Sequence, residues 1–339
     1  MTKKQFARKQ KILWRKLKKS SKYLLHHSYR LFSLLVIAAF FLLFPGNSYY
    51  ETLEVTYRPP LVRASEYADF VPAPYPQKIG SEPAPYTTGE SVVITDLESA
   101  VPMHELNPTK RLRPASITKL MTALVALDYY SLDQVLTVKR LAPPIPGEKE
   151  SEMGLAVGDN ISVRNLLYGL LIPSGNDAAY TLADNYEGGI ENFIYSMNKK
   201  AKQLHMENTQ FQNPVGIDGP EHYSSARDLS LLAAQSLKND LIAKIVATSG
   251  VSLGDASGKK VYTMRNVNQL LGYVYGVDGV KTGFTDEAGQ CLISSVSRNG
   301  HRIIIVLLKS QDRFGESAKL IEWVFGNYKW VDLTTGTGV

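Results

Sequence analysis

The chain runs to 339 residues and 37.6 kDa, 44% hydrophobic and 21% charged, enough for one large globular domain or two smaller ones. Its net charge of +6 belongs to one end: residues 1–30 hold eleven Lys and Arg and no acid, and the remainder carries 27 basic against 32 acidic side chains. That distribution excludes a basic nucleic-acid-binding body, and the single cysteine, Cys291, excludes an intrachain disulfide.

The basic arm (1–30) leads into "LFSLLVIAAFFLLF", residues 31–44, where Ser33 alone is polar. Charge ahead of a short apolar core is the pattern of a signal peptide or signal anchor, although a typical span needs about 20 apolar residues. "PGNSYYETLEV" follows without a clear small-residue cleavage site, so an uncleaved anchor is expected. The arm would stay in the cytoplasm, Tyr49 and Tyr50 at the outer interface, and the rest of the chain outside. Cleavage would instead make the protein secreted.

Eight of the seventeen prolines fall in residues 45–89, so residues 45–87 read as an extended extracytoplasmic linker with at most a short strand at Thr52–Tyr57. A folded domain is expected over 88–330, with a flexible tail at 331–339. Its first element, "ESVVITDLESA", alternates like a strand and ends in a turn. "RPASITKLMTALVAL" then places Leu120, Met121, Leu124, Val125 and Leu127 at helical spacing. Three residues apart, Ser116 and Lys119 share one face at the start of that helix. Taken singly they read as an N-cap and a solvated lysine.

A helix-rich middle, from Leu132 to about Leu241, contains "LLIPSGNDAAY", with Ser174 and Asn176 in a turn after an apolar helix. "GVDGVKTGFTDEAG" then sets Lys281, Thr282 and Gly283 on a strand. It is not a phosphate loop, because the positions a Walker A motif reserves for glycine hold Val280 and Tyr275. "QCLISSVS" and "RIIIVLLK" flank Asn299-Gly300 as a hairpin, and "RFGESAKLIEWVFGNY" closes as an amphipathic helix. The strand Arg302–Leu308 is expected beside the Lys281 strand. A strand before the helices and a hairpin after them predict an α+β fold: one antiparallel sheet flanked by helices, with a helical lobe inserted. The six histidines show no H-E-x-x-H or other paired spacing, so no metal site and no cofactor are expected.

S-x-x-K, S-x-N and K-T-G, in that order, resemble the signature set of the serine penicillin-recognising enzymes. Together with "FQNPVGIDGPEHYSSARDLSLLA", the flanking text resembles the low-molecular-mass penicillin-binding proteins that are serine-type D-alanyl-D-alanine carboxypeptidases, peptidase S11-like, over roughly residues 88–328. The resemblance implies a β-lactamase/transpeptidase-like fold and a bacterial cell-membrane location. It also implies action on peptidoglycan stem peptides ending in D-Ala-D-Ala, through an acyl-enzyme that β-lactams block. Many relatives carry a second, β-rich domain and a C-terminal membrane-binding helix. The N-terminal anchor is expected to replace that helix.

A serine hydroxyl needs a base, and Lys119 serves only if neutral. At an ordinary pKa of about 10.4 few lysines are neutral at pH 7, but burial, a helix N-terminus and a second cation push the value down. Lys281 is the candidate second cation. The resemblance implies that Ser174 relays a proton to the leaving amine and that Asn176 holds the substrate amide while bonding Lys119. It further implies an oxyanion hole from the N–H groups of Ser116 and Phe284. Lys281, Thr282, Gly283 and Phe284 are the expected substrate-binding strand. Arg313 is expected to hold the substrate's free carboxylate with Thr282, the alternative being a surface arginine paired with Asp312 or Glu316. His222, Asp228 and Asn213 are expected to pack and hydrogen-bond, and Cys291 to be a buried structural thiol. Two other functions remain open at this level: a β-lactamase, and a catalytically silent wall-binding protein.

Overall fold

A computed structural model describes residues 10–11, 13–18, 28, 32–40, 42–43, 73–144 and 151–332. The chain divides into two units, residues 1–70 and 71–339. In the first, residues 32–40 of the apolar run are helical with exposed side chains. Among the described residues no helix is long and apolar enough to cross a membrane. The strand expected at Thr52–Tyr57 and residues 333–339 of the tail lie outside the described residues.

In the second unit, β1 (Tyr75–Lys78), β2 (Ser91–Asp96) and β3 (Pro102–Leu106) come first. A 3₁₀ turn, Ala115–Thr118, runs into α1 (Lys119–Tyr129). The middle of the chain supplies β4 (Val135–Thr137), β5 (Asn160–Ser162), α2 (Val163–Leu171), α3 (Asn176–Asn185) and α4 (Gly189–Gln203). After these come α5 (Ala226–Leu237), α6 (Asp240–Val246), β6 (Gly250–Gly254) and β7 (Val261–Arg265). The chain then returns through β8 (Val277–Thr285), β9 (Gly289–Arg298), β10 (His301–Ser310), α7 (Arg313–Asn327) and β11 (Tyr328–Val331).

Five strands form one antiparallel sheet in the order β3-β2-β10-β9-β8, built from both ends of the domain as the sequence predicts. Alternate side chains divide it into two faces. Val92, Ile94, Ile303, Ile305 and Leu307 pack with Leu320, Ile321 and Val324 of α7. Val93, Ile304, Val306, Leu308 and Ile293 belong to the core shared with the inserted helices. Within that lobe α1 is buried from Lys119 to Ala126, which identifies it as the central helix rather than a surface one. Ser162, Ser225 and Asn239 cap α2, α5 and α6 through side-chain oxygens.

Two expectations are corrected. The strand after Asn299-Gly300 does not pair beside the Lys281 strand: β9 lies between them, and β8 is the edge of the sheet. The tight turn puts β9 on one side of β10, with Arg298 paired directly to His301 and both turn residues at positive φ, and β2 takes the other side. The proline-rich stretch assigned to the linker also enters the fold. β1 pairs with β11, where Pro76 sits in a two-stranded edge that tolerates its missing N–H, and the N–H groups of Ile79 and Gly80 both donate to Asn327 O.

Candidate active site

Ser116 lies in the 3₁₀ turn, and Lys119 is the first residue of α1. The three-residue spacing folds the lysine back so that its Nζ stands 2.8 Å from Ser116 Oγ. Nζ also donates to the carbonyl of Val215 at 2.9 Å. The hydrogen bond expected between Lys119 and Asn176 is not formed. Lys119 is wholly buried and Ser116 is half-buried, lining an open cleft. Burial first, and the Lys281 charge second, hold the Lys119 amine well below its ordinary pKa, against a smaller opposing pull from Asp177. The side chain is therefore biased towards the neutral amine, the state a base needs.

Lys281 reaches from β8 to the cleft-lining Ser174, with Nζ 2.9 Å from Ser174 Oγ and 3.1 Å from its neighbour's carbonyl, that of Thr282. It is 1% exposed, and burial together with the Arg313 charge lowers it to about 7. Ser174 sits at φ 68° and Ala115, just before the nucleophile candidate, at φ 48°. Non-glycine residues hold such conformations only where their surroundings enforce them, and here both flank the cleft. Asn176 begins α3 and lines the same cleft, its N–H bonded to the Ser151 carbonyl. Thr282, Gly283 and Phe284 also line it. A Cβ on Gly283 would come within 3.0 Å of Pro114 O and 3.2 Å of Ser116 N, so glycine lets β8 run directly against the 3₁₀ turn.

Arg313 opens α7 and reaches back across the end of β9. Its N–H bonds Gln290, and Nη1 donates to Gly283 O at 2.7 Å. It lines the cleft, and its buried Nε has no hydrogen-bond partner. It pairs with neither Asp312, which caps α7, nor Glu316, which accepts from Thr88 and Ser310.

Several site features carry no motif of their own. The acceptor on Lys119 is a backbone carbonyl, held by a compact turn. Asn213 Oδ1 accepts the N–H groups of Val215, Gly216 and Ile217, and Thr122 donates to Pro214 O. A Cβ on Gly216 would overlap the Ala115 carbonyl, and its φ of +96° also demands glycine. His222 ties this turn to the 3₁₀ turn that carries Ser116. Its Nδ1 accepts from Gln212 N–H, so the neutral ring donates from Nε2 to Thr118 Oγ1. Burial, then the Arg113 charge, brings His222 down to about 4 and keeps it neutral. Asp177 accepts from the N–H groups of Met153, Gly154 and Leu155, fixing the segment that presents Ser151 to Asn176. Asp228 accepts from Asn208 and Thr209, and Cys291 is fully buried, both as expected. Among the described residues no cluster of His, Cys, Asp and Glu is arranged to hold a metal.

A family model described as D-alanyl-D-alanine carboxypeptidase, peptidase S11, matches residues 78–312. The chain belongs to this family. The D-alanyl-D-alanine carboxypeptidase DacF of Bacillus subtilis is 35% identical over 249 residues, 71% of this chain and 63% of that protein. The chain thus spans a little under two-thirds of that relative's length. The solved Streptomyces K15 DD-transpeptidase superposes with a TM-score of 0.66 at 29% identity, covering 72% of this chain and all of the other. Penicillin-binding protein D2 of Listeria monocytogenes, solved in an ampicillin-bound form, gives 0.63 at 30% identity, covering 72% of this chain and 100% of its own.

The coupling between the two lysines is open to test. Lys281→Met removes the cation that disfavours protonation of Lys119 at pH values below about 7, where Lys281 is charged. The Lys119 pKa should then rise, and the acid limb of Ser116 acylation by a fluorescent penicillin should move to higher pH. A limb that does not move up would show that the Lys281 charge does not depress Lys119.

Proposed function

We propose that the protein is a serine D-alanyl-D-alanine carboxypeptidase that removes the terminal D-alanine from peptidoglycan stem peptides and is acylated by β-lactams. The observation that carries this reading is a hydroxyl 2.8 Å from a fully buried lysine whose pKa is depressed by burial and by a second lysine. Neutral Lys119 takes the Ser116 proton as Oγ attacks the carbonyl of the penultimate D-alanine. The N–H groups of Ser116 and Phe284 hold the oxyanion, an arrangement worth about 3–4 kcal/mol per donor in acyl transfer. Ser174, bonded to Lys281, relays the proton to the departing D-alanine amine. Asn176 holds the substrate amide. Water then attacks the ester with Lys119 again as base, releasing the shortened peptide and restoring the serine. The carboxypeptidase name of the Bacillus relative and the ampicillin-bound form of the Listeria protein support both halves of the proposal.

The direct test is to incubate the purified chain with a D-Ala-D-Ala peptide and with labelled penicillin. Release of D-alanine with a lasting penicillin adduct is expected. Rapid penicillin turnover would indicate a β-lactamase, and neither signal a silent wall-binding protein. Ser116→Ala should abolish both reactions, and Lys119→Ala should slow acylation by the 10²–10⁴-fold typical of a general base. A Ser116→Ala protein that still forms the adduct has a different nucleophile.

Carboxylate recognition is assigned to Arg313 and Thr282, since a guanidinium with an unpartnered Nε faces the cleft. Arg313→Ala should weaken hydrolysis of a peptide with a free C-terminal carboxylate by about 2–3 kcal/mol. A C-terminally amidated analogue should suffer far less. Equal losses on both substrates would remove Arg313 from this role.

We further propose that the N-terminal segment anchors the domain at the outer face of a bacterial cell membrane, the eleven basic residues of the arm staying in the cytoplasm. The charge asymmetry and the apolar run of residues 31–44 support it. Protease added to intact wall-less cells should release the domain while sparing the arm. A mature protein starting near residue 45–50 would instead establish cleavage.

A further inference from the structure

Beyond the cleft at Ser116 lies a second recess, lined by Arg111, Arg113, Tyr223, Asp286, Glu287 and Lys309 among others. Asp286 borders both, so the recess continues the cleft along the end of β8. β8 is the edge strand of the sheet, the kind of edge against which an extended peptide lies. With the scissile carbonyl at Ser116 and the free carboxylate at Arg313, the rest of the substrate must leave the cleft elsewhere. The recess is close enough to receive it. Asp286 follows Gly283, which touches the 3₁₀ turn, by three residues, at most about 10 Å of strand, or the length of roughly three substrate residues.

The charges in this recess are unequally satisfied. Arg113 pairs with Glu287 at 3.2 Å and donates to two backbone carbonyls, and Lys309 pairs with Glu90 at 2.9 Å. Arg111 makes no ion pair among the described residues. Its one hydrogen bond is a long contact of 3.4 Å from Nε to Asn208, and its guanidinium lies over the Tyr223 ring, 4.7 Å from the centroid. Stacking fixes a planar fork while leaving its terminal nitrogens open, which suits a carboxylate. Asp286 is exposed and makes neither an ion pair nor a side-chain hydrogen bond among the described residues. Moving away from Ser116, the first unsatisfied charge is therefore negative and the next positive.

We propose that this recess is a specificity subsite for the substrate residues that precede the D-alanyl-D-alanine end. Asp286 takes a side-chain ammonium on the residue immediately before that end. Arg111 takes a free carboxylate carried one residue earlier. The proposal rests on the carboxypeptidase reading and names which stem peptides the site prefers.

The experiment compares four synthetic substrates on the full chain. They are a short lysyl-D-alanyl-D-alanine peptide acetylated on both lysine amines, its counterpart with a free side-chain amine, and a longer peptide carrying a D-isoglutamyl residue, with its carboxylate free or amidated. The wild type should favour the free carboxylate over the amide by about tenfold in kcat/KM, expressed in KM, since such contacts hold ground state and transition state alike. Arg111→Gln should erase that preference, and Asp286→Asn the preference for the free lysine amine over the acetylated one. Turnover of the short acetylated peptide and penicillin labelling report that each variant is folded. No preference in the wild type, or a uniform loss on all four peptides in Arg111→Gln, would overturn the subsite. Failure of the wild type to cleave any of the four would instead overturn the carboxypeptidase reading.

Discussion

The structure turns on the burial of one amine. Lys119 has no exposed surface, and its Nζ is met by a serine hydroxyl and a backbone carbonyl rather than by a carboxylate. A buried lysine without an acidic partner is stable chiefly as the neutral amine, because the charged form would forfeit hydration with nothing to replace it. The surroundings that hide this side chain thus also bias it towards the neutral state that the proposed base requires. Lys281, placed on the facing strand, adds a like charge to the same end.

Keeping the amine buried and aimed requires parts from distant stretches of chain. Asn213 gathers three N–H groups and so shapes the turn that offers the Val215 carbonyl to Lys119. His222, neutral and fully buried, clamps that turn to Thr118, next to Lys119. Gly216 and Gly283 let two backbones close on the 3₁₀ turn from different sides. Each is a packing or hydrogen-bonding role, yet together they fix the distance from the Lys119 amine to the Ser116 hydroxyl. Small displacements at such a distance are costly to rate.

Much of this was legible in the sequence, for physical reasons that differ by residue. Ser116, Lys119, Ser174 and Lys281 meet through their own side chains, so their chemistry is written in residue type and spacing. The helical period of "KLMTALVAL" marked α1, and Asn299-Gly300 marked the hairpin. Val215 was invisible because it contributes a carbonyl that any residue owns. Strand order is hidden for a similar reason. Asn299-Gly300 sets one neighbour of "RIIIVLLK", but nothing in its residues says that β2 takes the other side and leaves β8 to pair with β9. The prolines before residue 88 concealed β1, whose pairing with β11 is an edge arrangement that proline permits.

The neutral state of Lys119 is accessible to direct measurement. With lysine side chains isotopically labelled and the Lys119 signal assigned by its loss in Lys119→Arg, its resonance can be followed by NMR as pH is raised. The account predicts a midpoint well below the 10.5 of an ordinary lysine, and a partial return of that midpoint upward when Lys281 is replaced by Met. A Lys119 signal that titrates together with the exposed lysines would contradict the account at its centre.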